Sequence, residues 1–243
     1  MPHILNEQGN KKLSKRDGAK DILDYIKEGY LPEALRSFIA TLGWNDGTEQ
    51  EVFSTDELIS KFSLQRVGKS GAHFDERRLN WVNGYFIRQK SIDELLANVD
   101  SFWPKASSNY DNKYKKQVLG LVQERLKYFS ELPELTSFFF ADLPINPTLI
   151  SGHKQLKKLE VTEVRQLLET VEQSLSESDF TTQDLTDRLN DLLLSTETKP
   201  AVLFSLIRIA TTQAQASPGL AETMNVLGKE TSLRRIQTQI THL

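Results

Sequence analysis

The chain has 243 residues, 38% of them hydrophobic and 26% charged, and a net charge of −3. This is enough apolar surface for one large domain or two to three small ones, and it excludes a chain disordered throughout or one that coats DNA through bulk positive charge. The absence of cysteine excludes disulfides, thiolate catalysis and cysteine-ligated zinc and fits a cytoplasmic protein, and with no apolar run approaching about 18 residues and a polar stretch from Asn6, neither a membrane helix nor a signal peptide is expected.

The first twenty residues read as a short apolar strand, His3-Ile4-Leu5, followed by a polar loop with turn formers at Asn6, Gly9 and Asn10. Beyond residue 21 the pattern is helical. Leu35, Phe38, Ile39 and Leu42 share one helical face, with Pro32 in the first turn and Gly43 at the stop. Ser54 with Glu57 and Ser91 with Glu94 have capping-box spacing, and Asp75 is placed to cap a helix whose face is Leu79, Val82 and Phe86. Trp44 and Trp81 are expected in the core. Tyr114, Val118, Leu121, Val122 and Phe129 suggest one longer helix, Val164 to Leu175 another, and Leu185 to Leu193 a third. Pro200 opens a helix, Ser217-Pro218 is expected to open the next with serine as N-cap, Gly228 closes it, and Lys229–Leu243 forms a basic last helix. Linkers are expected at 104–110 and 144–152. Charge is uneven: residues 91–199 carry 12 Lys/Arg against 18 Asp/Glu, whereas 1–90 carry 14 against 13 and 200–243 carry 4 against 2. A nucleic-acid surface is therefore expected toward the ends. The four histidines, His3, His73, His153 and His242, have no ligand spacing, so no metal site is expected.

The sharpest motif is Lys12-Leu13-Ser14-Lys15-Arg16, between Gly9 and Gly18. Ammonium groups on a glycine-flanked loop can neutralise a polyphosphate and follow its charge as it moves, although the same five residues alone also describe a solvated basic loop. Followed by Asp17-Gly18-Ala19, the segment resembles the lysine signature loop of class I aminoacyl-tRNA synthetases in its glutamate form. Residues 25–44, 73–88 and 217–236 are similar, in order, to later blocks of bacterial-type glutamyl-tRNA synthetases. The first 90 and last 45 residues carry the resemblance, and the acidic middle shares general helical character.

The resemblance implies that Lys15 holds ATP phosphates, that Lys12 assists, and that Ser14 and Arg16 help shape the site. ATP would enter with Mg as a substrate complex. Leucine at 13 replaces the methionine of many class I enzymes and remains apolar. Arg208, Ser217, Pro218 and Leu220 fall where the family surrounds the first anticodon base, with Ser217 standing for a frequent threonine. Two readings stand for several of these residues: Leu220 contacts a base or belongs to the core, and Arg234 and Arg235 contact phosphate or complement a helix C-terminus.

The implied fold is mainly α: the end of a catalytic domain (1–20), a stem-contact domain (21–90), and a two-part helical-cage anticodon-binding domain (91–147 and 148–243). A helical rather than β-barrel tail points to the bacterial type. The expected partner is tRNA(Glu), with ATP and glutamate used only together with a catalytic core bearing an HIGH-type motif, which this sequence lacks. Neither membrane nor DNA is an expected partner. The chain by itself is expected to be inactive and to hold no cofactor. The alternative is a stand-alone helical tRNA-binding or interaction module without ligase activity.

Overall fold

Capping chemistry sets many of the helix starts in the computed structural model, which describes residues 3–6, 9–14 and 20–243. Those residues form thirteen α-helices and one two-stranded parallel sheet. They pack as two compact units, one from the N-terminus to Trp103 with Gln123–Pro133, the other Pro104–Val122 with Glu134–Leu243. The segment 91–147 is thus divided: 91–103 and 123–133 pack in the first unit and the rest in the second.

In the first unit, β1 (Ile4–Leu5) pairs with β2 (Ala72–His73), Ile4 beside Ala72 and Leu5 beside His73. The helices are α1 (Ile22–Lys27), α2 (Pro32–Thr41), α3 (Thr55–Lys61), α4 (Glu76–Gln89) and α5 (Ile92–Asn98). Ser54 and Ser91 make the full capping boxes with Glu57 and Glu94, and Asp75 accepts from the N–H groups of Arg77 and Arg78. Leu35, Phe38, Leu79, Val82, Ile87 and Leu95 are buried, and Trp44 packs edge-on against Phe53 with ring centroids at 5.2 Å. The expected face of α2 is incomplete, because Ile39 is 49% exposed.

A buried amide joins three segments here. Asn83 is fully buried; its Oδ1 accepts from the Leu31 N–H at 2.8 Å and its Nδ2 donates to the Lys127 carbonyl. Leu31 is the N-cap of α2 and offers no side-chain cap. Asn83 thus supplies to the N-cap N–H the tie that Glu57 and Glu94 make to Ser54 and Ser91. Gln123 closes the other end, donating to the carbonyls of Ile87 and Lys90 at the C-terminus of α4.

In the second unit, α6 (Asn112–Val122) stops seven residues short of Phe129, which lies in a 3₁₀ turn (Phe129–Glu131). The single longer helix expected there is therefore broken. Next come α7 (Leu132–Phe140), α8 (Thr148–Ser151), α9 (Val161–Ser176), α10 (Thr182–Ser195), α11 (Pro200–Thr212), α12 (Leu220–Leu227) and α13 (Lys229–Thr241). Both expected linkers contain short helical turns, Lys105–Asn109 and α8. Val164, Leu168, Val171, Leu203, Leu206, Met224 and Ile236 build one core. No helix among the described residues is long and apolar enough to cross a membrane.

Candidate nucleic-acid interface and phosphate loop

The loop after β1 folds back on the strand. Leu13 N–H donates to the Ile4 carbonyl at 2.8 Å, Asn6 N–H to the Lys11 carbonyl at 2.9 Å, and Leu5 lies opposite Lys12. The Asn6 side chain closes the turn by accepting from the N–H groups of Asn10 and Lys11. Gly9 is required there: its φ is +70°, and a Cβ would collide with the His73 ring. Lys12 and Ser14 are exposed on the returning strand. Lys15 and Arg16 lie outside the described residues. An exposed lysine on a backbone-tied turn can meet an anionic group from solvent. Among the described residues no group of three or more His, Asp or Glu side chains is arranged for a metal ion.

A second site in the first unit corrects an expectation. Trp81 is 48% exposed, not core. It lies with Arg77, Asn80, Gly84 and Arg88 of α4 along a cavity of about 360 Å³ whose other wall includes Glu124, Arg125 and Lys127. Gly84 permits this closeness, since a Cβ would approach the Leu126 carbonyl to 3.3 Å. Arg88 faces Glu124 at 3.9 Å, and Arg77 is almost fully exposed. Arg77 also lies 3.8 Å from Asp75 and Lys127 3.6 Å from Glu131; these loosely paired cations around an exposed indole can bind phosphates and stack a base. Tyr85, 39% exposed on the same helix, adds a second aromatic surface.

The C-terminal candidates separate into two sets. Arg208, half-buried on α11, donates from Nε to the Ser217 hydroxyl at 3.0 Å, and that hydroxyl donates to the Pro218 carbonyl at 3.0 Å. Ser217 is therefore not the helix N-cap expected from Ser217-Pro218: α12 begins at Leu220 with Gly219 as N-cap. Ser217 orients the guanidinium instead. Pro218 is buried, and Leu220, 7% exposed, belongs to the core.

Arg235 is 9% exposed and makes four hydrogen bonds. It donates to Asp142 at 2.8 Å, to the Thr211 carbonyl at 2.7 Å, and to the Phe138 and Ala141 carbonyls at 2.8 and 2.9 Å. Thr211 closes α11, and Phe138 and Ala141 lie at the end of α7, so one guanidinium complements two helix C-termini. This decides between the two readings for Arg235 and removes it from any direct phosphate contact. Arg234 is half exposed and forks onto Asp142 at 2.6 and 3.0 Å. The paired arginines hold the Asp142 carboxyl down at about 2, Arg234 first.

Comparison with known proteins follows these features along the chain. A family model described as "tRNA synthetases class I (E and Q), catalytic domain" matches residues 1–81, and one described as "Anticodon binding domain" matches 94–240. The whole chain is 37% identical to the glutamate–tRNA ligase of Clostridium novyi (strain NT) and 34% identical to that of Dehalococcoides mccartyi (strain ATCC BAA-2100 / JCM 16839 / KCTC 5957 / BAV1). It spans about half the length of these curated relatives (50% in each case). The crystal structure of glutamate–tRNA synthetase from Elizabethkingia anophelis matches 98% of this chain over 50% of its own length, at 25% identity and a TM-score of 0.76. A glutamate tRNA ligase from Elizabethkingia meningosepticum, crystallised in complex with its amino acid, shares the fold at 24% identity and a TM-score of 0.77, over 99% of this chain and 50% of its own. The helical body and the lysine loop together define a class I aminoacyl-tRNA synthetase with an anticodon-binding region. Within that class, the chain belongs to the glutamyl-tRNA synthetase family.

Proposed function

We propose that this chain is the tRNA-recognition portion of a glutamate–tRNA ligase, which joins glutamate to tRNA(Glu) using ATP through a glutamyl-adenylate. The observation that carries the reading is Arg208, held half-buried on α11 by the Ser217 hydroxyl. The resemblance puts these two residues at the first anticodon base, and an oriented guanidinium is suited to the edge of a splayed base. In this reading Arg208 makes the contact, Ser217 positions it, and Pro218 and Leu220 form the packed floor beneath. The groove around Trp81 supplies a second contact with RNA, consistent with a stem-contact domain over 21–90 and helical anticodon-binding parts over 91–147 and 148–243. Lys12, Ser14, Lys15 and Arg16 belong to the phosphate side of an ATP site completed by a catalytic core.

The test is binding of labelled tRNA(Glu) and an unrelated tRNA at several salt concentrations. Preferential binding of tRNA(Glu), lost in Arg208→Ala, is expected; equal binding of both tRNAs with no effect of Arg208→Ala overturns the assignment. The other reading, a helical RNA-binding module without ligase activity, draws on the two-stranded sheet that is the only sheet among the described residues. Glutamate-dependent ATP–pyrophosphate exchange separates the two: the 243-residue chain alone shows none, and a longer protein containing it shows exchange only if the ligase reading holds.

A further inference from the structure

The second unit contains a cavity of about 260 Å³ with an aromatic wall and arginines on its rim. Tyr114 is fixed in that wall by its hydroxyl, which donates to the Phe139 carbonyl at 2.9 Å. Tyr110 stacks on Tyr114 with ring centroids at 4.8 Å and planes 26° apart, and it meets Phe140 edge-on at 5.2 Å. Tyr110 remains 37% exposed, so this two-ring stack ends at solvent. Arg234 lies on the rim. Its bidentate grip on Asp142 fixes the guanidinium plane and uses two of its five N–H donors. Arg235 also bonds Asp142, so two guanidiniums meet at one carboxylate on the rim, and Glu230 on the same helix also acts on Arg234.

The cavity adjoins a second one at the C-terminal end of α11, the helix that carries Arg208. A smaller cavity, about 70 Å³, is lined by Thr211, Thr212 and Gln213 and shares Asp142, Arg234 and Arg235 with the first. Thr212 donates its hydroxyl to the Arg208 carbonyl at 2.7 Å.

We propose that the Tyr110 cavity receives a second unpaired base of the same RNA, stacked on Tyr110 and hydrogen-bonded at its edge by Arg234. The proposal rests on the reading of Arg208 as an anticodon-loop contact. Aromatic stacking accepts any base, whereas a donor-only guanidinium favours an edge rich in acceptors, such as the O6 and N7 of guanine. The three rings make the interior a poor place for a phosphate and a good one for a base.

The test uses the full chain and a labelled anticodon-arm hairpin of tRNA(Glu), each loop nucleotide being replaced in turn by an abasic residue. Tyr110→Ala is expected to weaken binding roughly tenfold and Tyr110→Phe to leave it intact. One abasic position should weaken binding to the wild-type chain by a similar factor and have no further effect in Tyr110→Ala. If Tyr110→Ala is poorly folded, Arg234→Gln carries the same cycle. Wild-type affinity of Tyr110→Ala for every hairpin, or a loss spread evenly over all positions, overturns the cavity assignment even where Arg208→Ala still weakens binding. If Arg208→Ala is silent as well, the anticodon reading itself fails.

Discussion

Two arginine-bearing regions invite comparison: the groove along α4 in the first unit and the middle of α13 in the second. Each offers guanidiniums at helical spacing. In the groove, Arg77 is exposed and Arg88 reaches one carboxylate only at 3.9 Å, beside a half-exposed indole. At α13, Arg235 is buried against Asp142 and three carbonyls. The same side chain is a solvent-facing cation in one place and a structural bolt in the other. Nearby backbone acceptors decide which. Two helices ending at one point leave orphan carbonyls that only a multivalent donor satisfies, whereas the groove wall presents no such cluster.

The largest effect expected from this contrast is on Arg235. Arg235→Ala should lower stability by about 3 kcal/mol or more, because it strands three backbone carbonyls while Asp142 keeps only Arg234; denaturant unfolding measures it. A loss below about 1 kcal/mol, the scale of an exposed ion pair, would place Arg235 with the surface arginines. Next is Trp81→Ala. Binding of tRNA should fall by about 1–2 kcal/mol, close to tenfold, with the melting temperature unchanged. A lowered melting temperature with unchanged binding would mean that the indole packs rather than binds. Arg88→Ala and Arg77→Ala should each weaken binding less, and each should reduce the slope of log affinity against log salt by about one. A titration over salt concentration reads this, and an unchanged slope removes the residue from the phosphate contacts.

The smallest effect concerns pH. Asp142 is held at about 2 by Arg234 and Arg235, below its unfolded value of about 3.9. A depressed carboxyl stabilises the fold above the unfolded value, and that contribution disappears as pH falls from about 4 toward 2. The carboxylate is 54% exposed, so solvent screens much of the gain. Melting curves from pH 5 to 2 should show a smaller decline for Asp142→Asn than for the unaltered chain. Parallel declines would mean that the pair contributes nothing.

Features written in short-range chemistry are legible in the amino-acid sequence. The boxes at Ser54 and Ser91, the Asp75 cap and the Pro200 helix start each depend on residues within one turn. The exposure of Trp81 has a signal of the same kind, which hydrophobicity alone overrides: two residues after buried Leu79, it points some 200° around α4 from that core position. Ser217 has the local chemistry of a cap, and nothing nearby in sequence reveals that Arg208 claims its hydroxyl. The break after α6 is equally hidden, since Gln123 serves the carbonyls of a different helix. β2 is two residues long and exists through its pairing with β1 far upstream, so no periodicity announces it. Arg235 finds its partners on α7 and α11 only once the fold has formed.

That distant pairing also bears on timing. Leu5 is joined to His73, and Gly9 lies against the His73 ring, so the turn carrying Lys12 is built from opposite ends of a long circuit of chain. Closing such a circuit costs entropy before its contacts repay it, which delays this corner relative to the locally capped helices. During synthesis Lys12 leaves the ribosome well before the strand on which its turn rests. The corner proposed to hold phosphate therefore forms later than the locally capped helices of its unit.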